Sequence, residues 1–254
     1  MERREYFDTV ARLYDSARPG YPSLMFDDLL WLSGVRAGDS VLDIGCGTGK
    51  STEPFAKRGF KVTALDPGAN MLAVCRERLS SYTEVRYEQA AFETWSSDGE
   101  AFDLVVSGTA FHWVAPNGHA KLLDVLIPNR SVGVFWHTFL NGRDPFYDRL
   151  DEIYRQHAPS LYVTDLHSAQ ELADRQKELQ LLSWEGFGDW RIIRYYDNVR
   201  YDADGYLNLL RTWSTHVDLP PEFFRAVSRA IHDVGGHVVK PIRTTLCVGR
   251  QGSG

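Results

Sequence analysis

The segment VLDIGCGTGKST, residues 41–52, constrains the fold of this chain more than any other stretch. Its first residues are apolar and lead directly into closely spaced glycines, which is typical of a buried parallel strand that ends in a turn. Glycine in such a turn lets a ligand approach the backbone without meeting a Cβ atom. The segment therefore predicts a nucleotide-type ligand, and three classes of loop share its features.

Two phosphate-binding patterns fit this segment poorly. The P-loop pattern G-x-x-x-x-G-K-[ST] requires glycine at position 44, where the chain has Ile44. The dinucleotide pattern G-x-G-x-x-G matches Gly45 and Gly47 but meets Lys50 at its third glycine. Asp43 also places a negative charge where a phosphate favours positive potential. A nicotinamide-dependent oxidoreductase therefore stays open only as a less favoured alternative.

S-adenosylmethionine suits the charges of the segment better. This compound has no phosphate and carries a sulfonium cation, an ammonium and a carboxylate. Asp43 can hold the ammonium, directly or through water, while Gly45 and Gly47 allow close approach. Asp66 ends the next apolar run, where an acid can accept both ribose hydroxyls. A strand, turn and helix without any ligand is the structural alternative.

Strand and helix patterns alternate along the first half of the chain. Strands are predicted at 40–44, 61–66, 84–87, 102–107 and 131–137, and helices at 52–58, 69–79 and 121–126. This alternation predicts a parallel sheet with helices on both faces. The expected fold class is α/β, with a Rossmann-like, seven-stranded, mostly parallel sheet.

The alternation breaks after the fifth strand. Asp144 and Pro145 predict a helix start, and no strand is evident until residue 189. The remaining pattern predicts strands at 189–198 and 243–248, with helices at 206–213 and 221–234 between them. We therefore expect a helical lid insertion before the last two strands. The predicted segments are a core with an N-terminal cap at 1–139, the lid at 140–186 and a return to the core at 187–250.

Three segments together resemble a known family. VLDIGCGTGKST, VTALDPGANML and FDLVVSGTAFHWV look like a class I S-adenosylmethionine-dependent methyltransferase, in the small-molecule branch that includes trans-aconitate methyltransferase-like proteins. The similarity covers residues 10–137 well and the last third more loosely. A non-catalytic, regulatory S-adenosylmethionine-binding protein on the same scaffold stays open as the main alternative.

The resemblance implies roles for individual residues in binding S-adenosylmethionine. Some surround its methionine part, one holds the ribose, others flank the adenine, and the last two approach the sulfonium. In that order they are Asp43, Gly45, Gly47 and Thr48; Asp66; Pro67 and Met71; and Ser107 and Gly108. The acid that the family often carries after its third strand is missing here, because the segment reads QAAF. Adenine contacts are therefore expected from the backbone at Ala91 and Phe92.

His112 is the candidate general base, because it follows the fourth strand. The favoured interpretation is that His112 and Trp113 shape the acceptor pocket, since no carboxylate orients the imidazole locally. A carboxylate acceptor needs no base, and O-, N- and C-methylation all fit these residues. The N-terminal stretch resembles a cap over the cofactor, in which Tyr14, Arg18 and Tyr21 close the site. A surface turn set by two prolines is the alternative.

The composition of the chain limits the classes of partner that we expect. The net charge is −6 and no run of Lys or Arg occurs, so nucleic acid and anionic membranes are not expected partners. No apolar stretch is long enough for a membrane span, and the charged N-terminus is unlike a secretory signal. The three cysteines show no metal-ligand spacing, and no metal site is expected. We expect a cytoplasmic protein with a small-molecule acceptor, and its oligomeric state stays open.

Overall fold

A computed structural model of the chain describes residues 3–114 and 118–252. The strands are β1 (Ser40–Ile44), β2 (Lys61–Leu65), β3 (Val85–Glu88), β4 (Phe102–Gly108), β5 (Leu126–Phe139), β6 (Phe187–Asp202) and β7 (His237–Gln251). They form a seven-stranded sheet in the order β3-β2-β1-β4-β5-β7-β6. The pairs β1–β2, β1–β4, β2–β3 and β4–β5 are parallel. The predicted α/β fold is confirmed.

Helices connect these strands. They are α1 (Arg3–Thr9), α2 (Ala11–Ala17), α3 (Ser23–Ser33), α4 (Thr52–Lys57), α5 (Ala69–Arg78), α6 (Gly118–Val125), α7 (Pro145–His157), α8 (Leu166–Leu182), α9 (Ala203–Arg211) and α10 (Pro221–Asp233). Both α7 and α8 lie between β5 and β6 in the sequence, where a helical insertion was expected. None of the helices in the described ranges has the length and hydropathy of a membrane span.

Parallel pairing brings the functional ends of the central strands together. Asp43 of β1 lies opposite Ala64 of β2 and Val106 of β4. The residues that follow these three strands therefore meet at one edge of the sheet, which is where open parallel sheets bind ligands. Every residue of β1 after Ser40 is buried, as expected of a strand covered on both faces.

Local sequence signals set several boundaries. The Asp144 carboxylate accepts the Phe146 N–H at 3.0 Å, and Pro145 occupies the first turn, so α7 begins as predicted. The helix expected at 121–126 lies instead at Gly118–Val125, because Leu126 already belongs to β5. The last strand begins at His237, six residues before its predicted start at Arg243, and alternate residues Val238, Lys240 and Ile242 are buried along it.

The chain folds into two compact units. The helical unit comprises the described residues up to Pro19, Thr138–Arg175 and Tyr196–Arg243. Its core joins side chains of α7, α9 and α10, among them Phe146, Tyr206 and Phe223. The sheet unit comprises Gly20–His137, Gln176–Tyr195 and the described residues from Thr244 onward. The three segments expected from the sequence, 1–139, 140–186 and 187–250, stay a prediction.

Candidate functional site

The glycine loop after β1 contains one glycine that is packed and one that is open. Gly45 has a φ of +70°, and a Cβ atom there would lie 2.3 Å from the Ala110 Cβ. Gly47 has a φ of +55°, and a Cβ atom there would meet nothing within 4 Å. Gly45 therefore serves close packing of the chain on itself, whereas Gly47 leaves space that a ligand can enter.

Asp66 joins the ends of β1 and β2. Its Oδ2 atom accepts the Gly47 N–H at 2.9 Å, and its Oδ1 atom accepts the Gly68 N–H at 2.8 Å. The residue is 9% exposed, so only a small part of it is open to solvent. A carboxylate at the end of this strand has the acceptor chemistry that ribose hydroxyls require.

Asp43 is a fully buried acid with one unsatisfied oxygen. Its Oδ2 atom accepts hydrogen bonds from Ser51 Oγ and Thr52 Oγ1, both at 2.7 Å. Its Oδ1 atom has no partner among the described residues. Burial raises the pKa of Asp43 to about 6, the two hydroxyls oppose that rise, and the negative charge of Asp66 adds to it. A cation beside Oδ1 would stabilise the ionised form.

The hydroxyls of Ser51 and Thr52 are site residues that the sequence motifs did not predict. Ser51 and Thr52 open α4, and hydroxyl residues at a helix start signal hydrogen bonding, although their partner here is a side chain eight or nine residues earlier. Thr48 is buried with an unpartnered hydroxyl, again within the described ranges. This second unsatisfied group lies in the loop that follows β1, five residues after Asp43, and strengthens the case for a polar ligand.

The residues expected around the adenine differ in their burial and in their backbone hydrogen bonds. Pro67 is exposed and Met71 is buried on α5. The Ala91 carbonyl accepts the N–H groups of Thr94 and Trp95 at 3.1 and 3.0 Å, so it serves a turn. The Phe92 side chain lies in the core of the sheet unit. The backbone at Ala91 and Phe92 would therefore contact the adenine mainly through its N–H groups.

The end of β4 is tightly packed. Ser107 Oγ donates to the Ile44 carbonyl at 2.8 Å, which links β4 to β1. A Cβ atom on Gly108 would lie 2.6 Å from the Phe135 ring and 2.9 Å from Tyr21 Oη. Tyr21 Oη also lies 2.8 Å from Thr109 Oγ1. The structure thus brings Tyr21 to the residues that follow β4.

His112 borders a small cavity of about 40 Å³, which Ala110, Trp136, Lys177 and Trp184 also line. Its imidazole has no hydrogen bond within the described part of the chain. Desolvation by the surrounding protein, with the positive charge of Lys177, lowers the pKa of its imidazole. A ring that is neutral and a weak base suits pocket shaping better than proton abstraction.

Trp113 lies beside His112, with ring centroids 4.9 Å apart. Trp113 is half-buried and therefore presents part of its indole to solvent. Both residues belong to a single 3-10 turn at Phe111–Trp113. Their common turn is what places the two rings next to each other.

Arg18 has a structural contact within the helical unit. Its Nε atom donates to Thr212 Oγ1 at 2.7 Å, and one terminal nitrogen donates to the Thr212 carbonyl at 3.2 Å. Its guanidinium lies 5.2 Å from the centre of the Tyr14 ring and 5.3 Å from that of Phe139. These contacts hold the second helix of the chain to the end of α9. No three His, Cys, Asp or Glu residues cluster as metal ligands in the described ranges.

Comparison with known proteins assigns this arrangement to a family. Residues 41–128 match the family model for a methyltransferase domain. An uncharacterised methyltransferase-like protein of Schizosaccharomyces pombe is 31% identical over 224 residues, covering 85% of this chain and 80% of that protein. The chain belongs to the methyltransferase family. This confirms the resemblance carried by the three sequence segments.

Other relatives match this methyltransferase over shorter lengths. An uncharacterised methyltransferase of Mycobacterium tuberculosis is 34% identical over 133 residues, which cover 52% of each chain. The match thus spans about half the length of the first curated relatives. A trans-aconitate 2-methyltransferase of Paracidovorax citrulli is 38% identical over 102 residues, covering 39% of this chain and 37% of that enzyme.

A solved structure shares the fold. Phosphoethanolamine N-methyltransferase 2 of Haemonchus contortus, in complex with phosphomonomethylethanolamine and S-adenosylhomocysteine, superposes with a TM-score of 0.55 at 15% identity. The superposition covers 100% of this methyltransferase and 61% of that chain. At this identity the similarity concerns the fold alone.

Proposed function

We propose that this methyltransferase uses S-adenosylmethionine to methylate a small-molecule acceptor. The observation that carries the proposal is the unsatisfied Oδ1 atom of the buried Asp43, near the end of β1 and just before the loop in which Gly47 faces open space. An uncompensated carboxylate suits a ligand that brings positive charge and no phosphate. The solved relative crystallised with S-adenosylhomocysteine supports the same cofactor.

Four residues at the ends of β1 and β2 then have roles in cofactor binding. Asp43 attracts the ammonium of the amino-acid part, and Thr48 supplies an unpartnered hydroxyl to the same part. The backbone at Gly47 lies against the ligand because no Cβ atom intervenes. Asp66 accepts the ribose hydroxyls while its bond to the Gly47 N–H fixes its orientation.

The chain contributes to the reaction mainly by alignment. When bound, S-adenosylmethionine would supply a methyl group attached to a positively charged sulfur. The rest of the cofactor would leave as a neutral thioether. The residues after β4 and the 3-10 turn with His112 and Trp113 position the acceptor and exclude water. Pro67, Met71 and the backbone at Ala91 and Phe92 enclose the adenine, and Ser107 and Gly108 border the transferable methyl. Tyr14, Arg18 and Tyr21 form the N-terminal cap.

Two further expectations accompany this function. Cys46, Cys75 and Cys247 are free and buried, which fits a reducing compartment such as the cytoplasm. The partner is a small molecule rather than nucleic acid or a membrane, because the chain has a net charge of −6 and no basic run.

Calorimetry tests the cofactor first. S-adenosylmethionine and S-adenosylhomocysteine are titrated into the full chain, with NADH in a parallel cell. We expect both adenosyl compounds to bind and NADH not to bind. Incubation with methyl-labelled cofactor and a panel of carboxylic acids, phenols and amines then identifies the acceptor. Tight NADH binding without adenosyl binding would support an oxidoreductase, and cofactor binding without transfer to any acceptor would support a regulatory protein.

A further inference from the structure

The helical unit contains a second and larger cavity, which the proposed cofactor site does not use. Its volume is about 300 Å³, within the range of sites for small organic molecules. Much of its wall is apolar or aromatic, including Phe139, Leu150, Leu161 and Trp213. The cavity is therefore able to remove the apolar body of a small ligand from water.

Lys240 lies in the wall of this cavity and is the feature that distinguishes it. Its side chain is 2% exposed. Its Nζ atom donates to Asn141 Oδ1 at 2.9 Å and lies 5.2 Å from the Tyr147 ring centre and 5.9 Å from that of Tyr206. No carboxylate among the described residues lies within ion-pair distance of Nζ. An amide and two aromatic rings are weak partners for a buried ammonium.

The other polar groups in the wall do not replace a counter-ion. His216 Nε2 lies 2.7 Å from Tyr154 Oη, and its Nδ1 atom lies 2.9 Å from Thr215 Oγ1, so both ring nitrogens are occupied. Burial, with a smaller contribution from Arg18, lowers the pKa of His216 to about 4, which leaves the ring neutral. The buried Tyr206 hydroxyl has no partner within the described ranges.

We propose that this cavity binds a small monocarboxylic acid, with its carboxylate at the Lys240 amine and its apolar or aromatic body against the aromatic wall. A single negative charge matches the single cation in the wall. A phosphate monoester suits the site less well, because it brings up to two charges and Asp151, half-buried in the same wall, repels the second. The test uses the chain without cofactor and reads out acid binding alone, so its result does not depend on the proposed function.

Burial without a counter-ion has a measurable consequence. Desolvation lowers the pKa of Lys240 to about 7, and the negative charge of Asp151 only partly opposes this. A bound carboxylate would raise the pKa again. The tyrosines near the amine, Tyr147, Tyr154 and Tyr206, have raised pKa values and stay neutral below pH 9. Lys240 therefore changes charge between pH 6 and pH 9.

Calorimetry on the full chain without cofactor tests the site with matched probes. The acids are benzoate, cinnamate and hexanoate, and the controls are the corresponding neutral amides and phenyl phosphate. We expect at least one acid to bind about tenfold or more tightly than its amide at pH 6.5. Equal affinities for acid and amide, or tighter binding of phenyl phosphate, would overturn the proposal.

A substitution and a pH series test whether Lys240 is the cation that binds the acid. Lys240→Met keeps an unbranched side chain that is one atom shorter and buries no charge, so we expect it to fold and to remove the preference for acid over amide. Arg149→Gln removes a positive charge from an exposed position of the same unit and should leave that preference intact. Acid affinity of the unmodified chain should fall about tenfold or more between pH 6.5 and 8.5. An acid affinity that is constant over this range, or unchanged in Lys240→Met, would place the ligand elsewhere.

Discussion

The Oδ2 atom of Asp66 accepts a hydrogen bond from the backbone N–H of Gly47 at 2.9 Å, so the end of β2 is bound to the loop that follows β1. The acid that we assign to the ribose thus also fixes the open glycine that we assign to the methionine part. Loss of the Asp66 carboxylate should therefore affect both loop stability and cofactor affinity.

Asp66→Asn tests the assignment of Asp66 to the ribose. The amide has one acceptor oxygen instead of two, so one of the N–H groups of Gly47 and Gly68 loses its partner. We expect a loss of about 1–2 kcal/mol in the free energy of unfolding and at least about tenfold weaker S-adenosylmethionine binding. The affinity for methylthioadenosine, which has the ribose but no amino-acid part, should fall in parallel. Unchanged methylthioadenosine affinity would contradict the ribose role.

Asp43→Asn should change the affinities for the two ligands in a different way. The change removes the charge expected to hold the ammonium, so S-adenosylmethionine affinity should fall about tenfold or more while methylthioadenosine affinity stays the same. Both ligands are measured by calorimetry on one protein preparation. Asp27→Asn, at an acid whose side chain is 56% exposed, serves as the control for a change in net charge. Equal weakening of both ligands would argue against an ammonium at Asp43.

The stability of Asp43→Asn without cofactor provides a separate prediction. The folded-state pKa of Asp43 is raised to about 6, above its unfolded value, so the folded protein binds more protons and loses stability as pH rises from about 4 to about 6. The full cost above pH 6 is roughly 3 kcal/mol. Thermal unfolding at pH 4.5, 6 and 7.5 should show Asp43→Asn equal to the wild type at low pH and more stable at pH 7.5. A variant that is less stable at pH 7.5 would show that the carboxylate has a cation partner without ligand.

Gly47→Ala and Gly34→Ala form a matched pair. Both glycines have positive φ, at +55° and +72°, and a Cβ atom at either meets nothing within 4 Å. Each substitution should cost about 1 kcal/mol of unfolding free energy through backbone strain. Only Gly47→Ala should also weaken S-adenosylmethionine binding, by about tenfold or more, because its methyl enters the open space. Equal cofactor affinity in the two variants would mean that no ligand approaches Gly47.

His112→Asn separates pocket shaping from proton abstraction. Because the pKa of the imidazole is lowered, His112 stays neutral from pH 6 to pH 8 and adds no limb to the pH profile in that range. With an acceptor from the labelled-methyl screen, we expect kcat to change by less than about tenfold and KM for the acceptor to rise. A loss in kcat above about a hundredfold that added imidazole restores would establish a base.

Local patterns predicted the fold well because its elements carry local signals. The bounds of β1 agree with the apolar run at 40–44, and Asp144 caps α7 as its sequence indicates. Contacts between distant residues could not be predicted in this way. Ala110 against Gly45 and Lys240 in the wall of a cavity depend on how strands and helices pack, and neither residue stands out in its own segment.

The close approach of Ala110 to Gly45 has a consequence for redesign of this protein. The alanine methyl already fills the space beside the first glycine, so a bulkier residue at position 110 would force apart the loops after β1 and β4. A laboratory effort to alter which compound is methylated should therefore leave this pair fixed. Lys177 and Gln180, which line the small cavity beside His112, are the better positions for a mutant library.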